Sequence, residues 1–157
     1  MLDFDSLYRK YAPDVFRFAL YLSGNRAEAE DIASETFARA WVAHGAIQAE
    51  SAKGYLFTIA RNLFLKSLRS AARRSPLAES LPDPAPRSDQ LFERKSELNA
   101  VLAAMQTLPD IDRAALVMRS VDGLPYREIA RVLGISEGAA KVKVHRARAL
   151  LMHRRNN

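Results

Sequence analysis

No cysteine occurs anywhere in the chain, which excludes disulfides, thiolate catalysis and cysteine-based metal sites. Only three histidines are present, His44, His145 and His153, and none stands at a ligand-like spacing from carboxylates, so no metal is expected. Long apolar runs are missing too. The N-terminus, MLDFDSLYRK, is charged, and no stretch approaches the ~20 apolar residues of a membrane span. Neither a secretory leader nor membrane insertion is expected, and the expected location is the cytoplasm. No nucleophile–base pair, phosphate-binding loop or ligand cluster is visible, so an enzyme is the least favoured class, with no cofactor and no small-molecule substrate. No alternating pattern is strong enough to specify a strand, which leaves an all-α chain.

Acidic residues are abundant overall but absent from two stretches. Lys53 to Arg74 holds six Lys or Arg and no Asp or Glu, and Gly138 to Asn157 holds another six and none. Together they carry +12 while the formal net charge is +6, so the remainder sums to −6. Basicity segregated in this way favours two polyanion contacts over a uniformly basic surface. A hydrophobic content of 48 % is ample for globular cores.

Four of the seven prolines, Pro76, Pro82, Pro84 and Pro86, fall between Ser75 and Ser88. Proline at that density interrupts helices, so residues 75–89 read as a linker. As a flexible coil it spans roughly 20 Å, and about twice that if extended, so the two halves can sit apart. Each half has about 70 residues, a size at which burial is modest and docking onto a partner would help.

Three helical patterns precede the linker, in residues 1–74. Leu7, Tyr11, Val15, Phe18 and Leu22 share one face of the first, where Pro13 predicts a local kink or break and Gly24-Asn25 a stop. The second, Ala27 to His44, is expected to bury Ala29, Ile32, Ala33, Thr36, Phe37, Ala40 and Trp41 and to expose Glu28, Asp31, Glu35 and Arg39. In the third, Lys53 to Arg74, Leu56, Ile59, Ala60, Leu63 and Phe64 point inward, and Tyr55 and Phe57 read as core more than as stacking platforms. Residues 90–157 hold four more patterns, Gln90 to Thr107, Asp110 to Val121, and the two in LPYREIARVLGISEGAAKVKVHRARALL (Leu124 to Leu151). The expected fold is therefore two small helical domains, of three and four helices, joined by the Pro-rich linker.

That last stretch has the order of a helix-turn-helix. Tyr126 to Leu133 is a short helix, Gly134 suits a sharp left-handed turn, and Ser136 caps a second helix whose first turn carries Glu137. Ala140, Val144, Ala147 and Leu151 fall on one inward face. Val142, His145 and Arg146 lie opposite, flanked by Lys141, Lys143 and Arg148, in reach of base edges and phosphates. A solvated basic helix or a purely protein-binding helix-turn-helix is the bland alternative.

Two segments together resemble a known family. AEAEDIASETFARAW (Ala27 to Trp41) with GYLFTIARNLFLKSLRS (Gly54 to Ser70), and LPDIDRAALVMRSVDGLPYREIARVLGISEGAAKVKVHRARALL after the linker, are similar to regions 2 and 4 of extracytoplasmic-function (group IV) RNA polymerase sigma factors. The resemblance covers nearly the whole chain. It implies that Asp31, Ser34 and Glu35 face the polymerase core, since acidic side chains there suit a protein surface better than DNA. It implies that the loop Gly45 to Ser51 and the helix after it hold the minus-ten element. Gln48 and Ser51 would line the pocket for an unpaired base, and Arg61, Asn62, Lys66, Arg69 and Arg73 would supply polar and cationic contacts. It places the last helix in the major groove of the minus-thirty-five element. Lys141, Val142, His145 and Arg146 would lie nearest the bases, Lys143 and Arg148 on phosphates, and Tyr126 and Arg127 near the backbone.

Three positions depart from the family's common pattern. Ala33-Ser34 stands where a Gln often precedes the Glu, Thr58 where an Arg is common, and Val142 where a Ser is frequent. Val142 suggests contact with a thymine methyl. The implied function is a promoter-specificity subunit with core polymerase, promoter DNA and an anti-sigma factor as partners. The alternatives are a sigma-like decoy that sequesters an anti-sigma factor, which should have lost its DNA-facing cations, and an autonomous helix-turn-helix regulator, which should show a dimer seam.

Overall fold

The computed structural model describes residues 3–43, 47, 52–73 and 89–156. Within them lie seven helices and no strand: α1 (Phe4–Ser23), α2 (Arg26–Ala43), α3 (Ala52–Arg73), α4 (Asp89–Gln106), α5 (Asp110–Ser120), α6 (Tyr126–Leu133) and α7 (Glu137–Asn156). The first three pack on one another as a bundle, and α5, α6 and α7 form a second unit. The linker expected at 75–89 falls, up to residue 88, outside the described residues.

Local chemistry sets the helix ends. Gly24 terminates α1 at φ +68°, with its N–H donating to the Leu20 carbonyl, a conformation that a residue without Cβ adopts cheaply. Asn25 Oδ1 then accepts the Glu28 N–H at 2.8 Å and starts α2. Gly134 turns the helix-turn-helix at φ +68°, and the Ser136 hydroxyl accepts the Ala139 N–H at 3.0 Å as the cap of α7. Pro13 breaks nothing: α1 runs through it, and the exposed ring forgoes a single helix hydrogen bond.

Trp41 is a correction. Helical periodicity put it inward, yet it is 58 % exposed near the end of α2, edge-on to Phe4 with ring centroids 4.9 Å apart. The bundle core closes one turn earlier, at Phe37 and Ala40. At its centre Phe18 of α1 and Phe57 of α3 stack at 4.3 Å, both fully buried.

The two units do not sit apart. α1 packs against α4 and α5, and α3 packs against α6, so one buried apolar cluster runs from Leu7 and Phe18 through Met105 and Val117 to Val144 and Ala147. Each unit, too small for comfortable stability alone, finds its docking partner in the other. Gly54 lets α3 and α6 meet, since a Cβ there would overlap the Glu128 carboxylate. Gln106 Nε2 donates to the Tyr21 carbonyl at 3.0 Å.

Charges close the same seam. Asp122, in the turn after α5, has a fully covered side chain whose Oδ1 lies 3.2 Å from Arg17 Nη2 and 3.3 Å from Lys53 Nζ. Asp14 completes the knot, 3.0 Å from Arg17 and 3.5 Å from Lys53. Asp122 Oδ2 has no hydrogen-bond partner among the described residues. Loss of hydration pushes the Asp122 carboxyl above its ordinary value of 3.8, against the opposing pull of Lys53 and Arg17.

Phe57→Ala should destabilise the chain by about 3–5 kcal/mol in urea unfolding, and a loss under about 1 kcal/mol would move the centre of the core elsewhere. Stability should also fall with rising pH between 3.8 and the raised native value of Asp122, because the native state binds more protons than the unfolded chain in that window. Urea titrations across that range should show a flatter slope for Asp122→Asn than for the parent. An unchanged slope would assign the titration to another group.

Candidate nucleic-acid interface

The helix-turn-helix is built from the inside out. Ala140, Val144 and Ala147 of α7 are fully buried against α5 and α6, and this stripe turns the opposite face of the helix to solvent. Val142 is 60 % exposed, and Lys141, His145, Arg146 and Arg148 are exposed beside it, while Lys143 is half-buried at the flank. Tyr126, at the start of α6, is half-buried between two cations, with the Arg119 guanidinium 4.3 Å and the Lys141 ammonium 5.7 Å from its ring centroid. Arg127 beside it is exposed. Arg148 Nη2 donates to the Ser120 hydroxyl at 3.2 Å.

Arg146 differs from its neighbours. Its Nε and Nη2 donate to Asp112 Oδ2 and Oδ1, both at 2.7 Å, and Asp112 is a fully covered carboxylate on α5. Hydrogen bonding to this carboxylate raises the Arg146 pKa further above its ordinary value. Nothing in the linear sequence singled out Asp112. In the first turn of a helix an acid reads as a dipole partner, and the residue it meets lies thirty-four positions away.

The second cationic surface lies along α3. Asn62, Lys66, Arg69 and Arg73 are exposed on it. Arg61 is instead half-buried, where burial lowers its pKa against the opposing charge of Asp110 at the start of α5. Docking of the second unit thus covers part of one residue in this set and leaves the others open. Thr58 Oγ1 donates back to the Gly54 carbonyl at 2.8 Å, within the helix. Gln48 and Ser51 lie outside the described residues.

Asp31, Ser34 and Glu35 are exposed together on α2, with Glu35 3.3 Å from Arg39. Ser34 also lines a groove of about 500 Å³ between α1 and α2, floored by Ala12, Phe16, Ala33 and Phe37. An acidic face bordered by apolar surface suits a protein partner, and it is well separated in sequence and chemistry from the basic face of α3.

Among the described residues no group of His, Asp and Glu could hold a metal ion, and no helix is long and apolar enough to cross a membrane. The acidic face and the two basic faces are therefore the surfaces that need explaining.

Comparison with known proteins explains both basic surfaces. The Sigma-70 region 2 profile matches residues 7–74, and the Sigma-70, region 4 profile matches residues 98–151. The ECF RNA polymerase sigma factor SigE of Mycolicibacterium smegmatis is 38 % identical over 96 % of the chain, which spans 61 % of that relative's length. SigL of Mycobacterium tuberculosis is 35 % identical, with 90 % of the chain and 82 % of the relative covered. SigM of Bacillus subtilis is 31 % identical, covering 94 % and 91 %. Among solved structures, the sigma factor RpoE in complex with the anti-sigma factor NepR from Bartonella quintana superimposes with a TM-score of 0.77 at 27 % identity, over 96 % of this chain and 95 % of that one.

Proposed function

The chain belongs to the extracytoplasmic-function RNA polymerase sigma factors of the sigma-70 family, and we propose from its surfaces how it divides the work of promoter recognition. Asp31, Ser34 and Glu35 of α2 contact the core polymerase. The basic face of α3, with Arg61, Asn62, Lys66, Arg69 and Arg73, follows the minus-ten strand, and Gln48 and Ser51 take an unpaired base. On α7, Lys141, Val142, His145 and Arg146 enter the major groove of the minus-thirty-five element, while Lys143, Arg148, Tyr126 and Arg127 set its register on the backbone. The observation that carries this division is the buried stripe Ala140, Val144 and Ala147, which leaves α7 no orientation except one with Val142 and His145 outward.

The packed arrangement precedes promoter binding. Two elements about 25 base pairs apart, as their names state, are separated by about 85 Å of duplex. A compact chain of this length is only about 40 Å across. The units must part, and the seam that parts is polar at its rim: Asp122 with Arg17 and Lys53, and Gln106 with Tyr21. The Pro-rich sequence of residues 75–88 is the tether. An anti-sigma factor that favours the closed arrangement would hold the chain inactive, in keeping with the complex in which RpoE was solved. A decoy role is disfavoured by the retention of both cationic faces, and dimeric repression by a recognition helix whose apolar stripe is used up inside its own unit.

The purified chain should join core polymerase and direct run-off transcription from promoters mapped upstream of starts that appear on its overexpression. Glu35→Lys should lower core affinity about tenfold or more, as reversal of an interfacial charge does. Lys66→Ala and Arg69→Ala should each reduce the slope of log affinity against log salt by about 1 for holoenzyme on promoter DNA. A chain that neither joins core nor starts transcription at any mapped site is not acting as a promoter-specificity subunit.

A further inference from the structure

The geometry points to Asp112 as a positioning residue for base reading: from its buried place on α5 it holds the Arg146 guanidinium so that the outer edge of the fork faces the duplex as a guanine reader. The inference rests on the reading above, in which α7 lies in the major groove. Asp112 itself lies outside the helix-turn-helix and touches no DNA in this arrangement.

The pair is a fork on a fork. Oδ2 accepts from Nε and Oδ1 from Nη2, both at 2.7 Å, the short parallel bonds of a charge-assisted bidentate contact. A guanidinium has five N–H groups, and Asp112 uses one on Nε and one on Nη2. Both hydrogens on Nη1 and one on Nη2 remain, along the edge opposite the carboxylate. Exposure agrees with this division, since the Asp112 side chain is fully covered while that of Arg146 is 51 % exposed. The remaining Nη1 and Nη2 edge is the one whose parallel N–H groups match O6 and N7 of guanine.

Charge separates a base contact from a phosphate contact. A guanidinium already matched by a carboxylate has little net charge left to attract a phosphate, but it keeps the directed hydrogen bonds that a base edge requires. Lys143 and Arg148 have no carboxylate against them in this structure and suit phosphates better. Fixing also matters, because a side chain held before binding loses less rotamer freedom on docking. Lys141, by contrast, leans over the Tyr126 ring, and Val142 has no polar atom on its side chain.

The experiment uses holoenzyme assembled from the full chain and core polymerase. The probe is a linear duplex library randomised across the upstream element and sequenced before and after selection. The wild type should enrich guanine at one position, and Arg146→Lys, which keeps the charge but not the fork, should lose that enrichment. Asp112→Asn should lower guanine enrichment at that same position at least about fivefold more than it lowers library-average binding. Added to Arg146→Lys, it should cause no further loss there. Asp112→Glu, which keeps the charge on a longer arm, takes its place where the amide variant does not fold. A loss spread evenly over all sequences would make Asp112 only a tie between α5 and α7 and overturn the inference. So would a wild type that selects a sequence without an Arg146-dependent guanine. A wild type that selects no sequence overturns the promoter reading, and this inference with it.

Discussion

One guanidinium, that of Arg113, joins more of this chain than any other group. Only 7 % exposed, it donates through Nε to the Met105 carbonyl at 2.9 Å, through Nη2 to that of Leu108 at 3.0 Å, and through Nη1 to that of Leu22. These carbonyls sit at the C-terminal ends of α1 and α4 and in the turn before α5, where helix geometry leaves oxygens without donors. A cation is also favoured there by the helix dipoles. Burial lowers the Arg113 pKa, partly offset by Asp110, so what keeps the group charged is its set of acceptors. Without it, several buried carbonyls would be left dry, each at a cost of about 1–3 kcal/mol.

The residue before it works in another direction. About a hundred degrees separate consecutive side chains on a helix, so α5 directs Arg113 toward α1 and α4 and Asp112 toward α7. Asp112 meets Arg146, and Val117 and Met118 are fully buried within the shared core. The position of the DNA-facing helix is thus referred through α5 to the first unit. Most of Arg113's bonds stay within the second unit when the units part. The Leu22 bond, the Asp122 pairs and the Gln106 contact are what opening breaks. Their polar character lets water replace them, which an apolar rim would not allow at comparable cost.

Much of this was visible in the chain itself. The seven helices, the left-handed turns at Gly24 and Gly134, the Ser136 cap and the inward stripe of α7 follow from local chemistry, and each appears where spacing put it. Acid-free segments marked both basic faces because charge composition needs no tertiary information. Trp41 was misplaced because periodicity identifies a face and cannot tell where along it the bundle stops. Arg146 was expected to be unencumbered because its partner is thirty-four residues away. Arg61 was expected in the open because nothing in a linear pattern says that the start of α5 will lie close to α3.

By itself the sequence determined the secondary structure, the two helical units, the segregation of charge and the resemblance that explains them, since all of these depend on intrinsic propensity, on periodicity and on which residues are neighbours along the chain. Tertiary structure alone decided that the units close on each other, that Asp122 is buried between Arg17 and Lys53, that Gly54 admits Glu128, and that a carboxylate on α5 grips the arginine of α7. Those outcomes depend on groups far apart in the chain being brought within a few ångströms. Only there, with water removed, do their charges and lone pairs have to find one another.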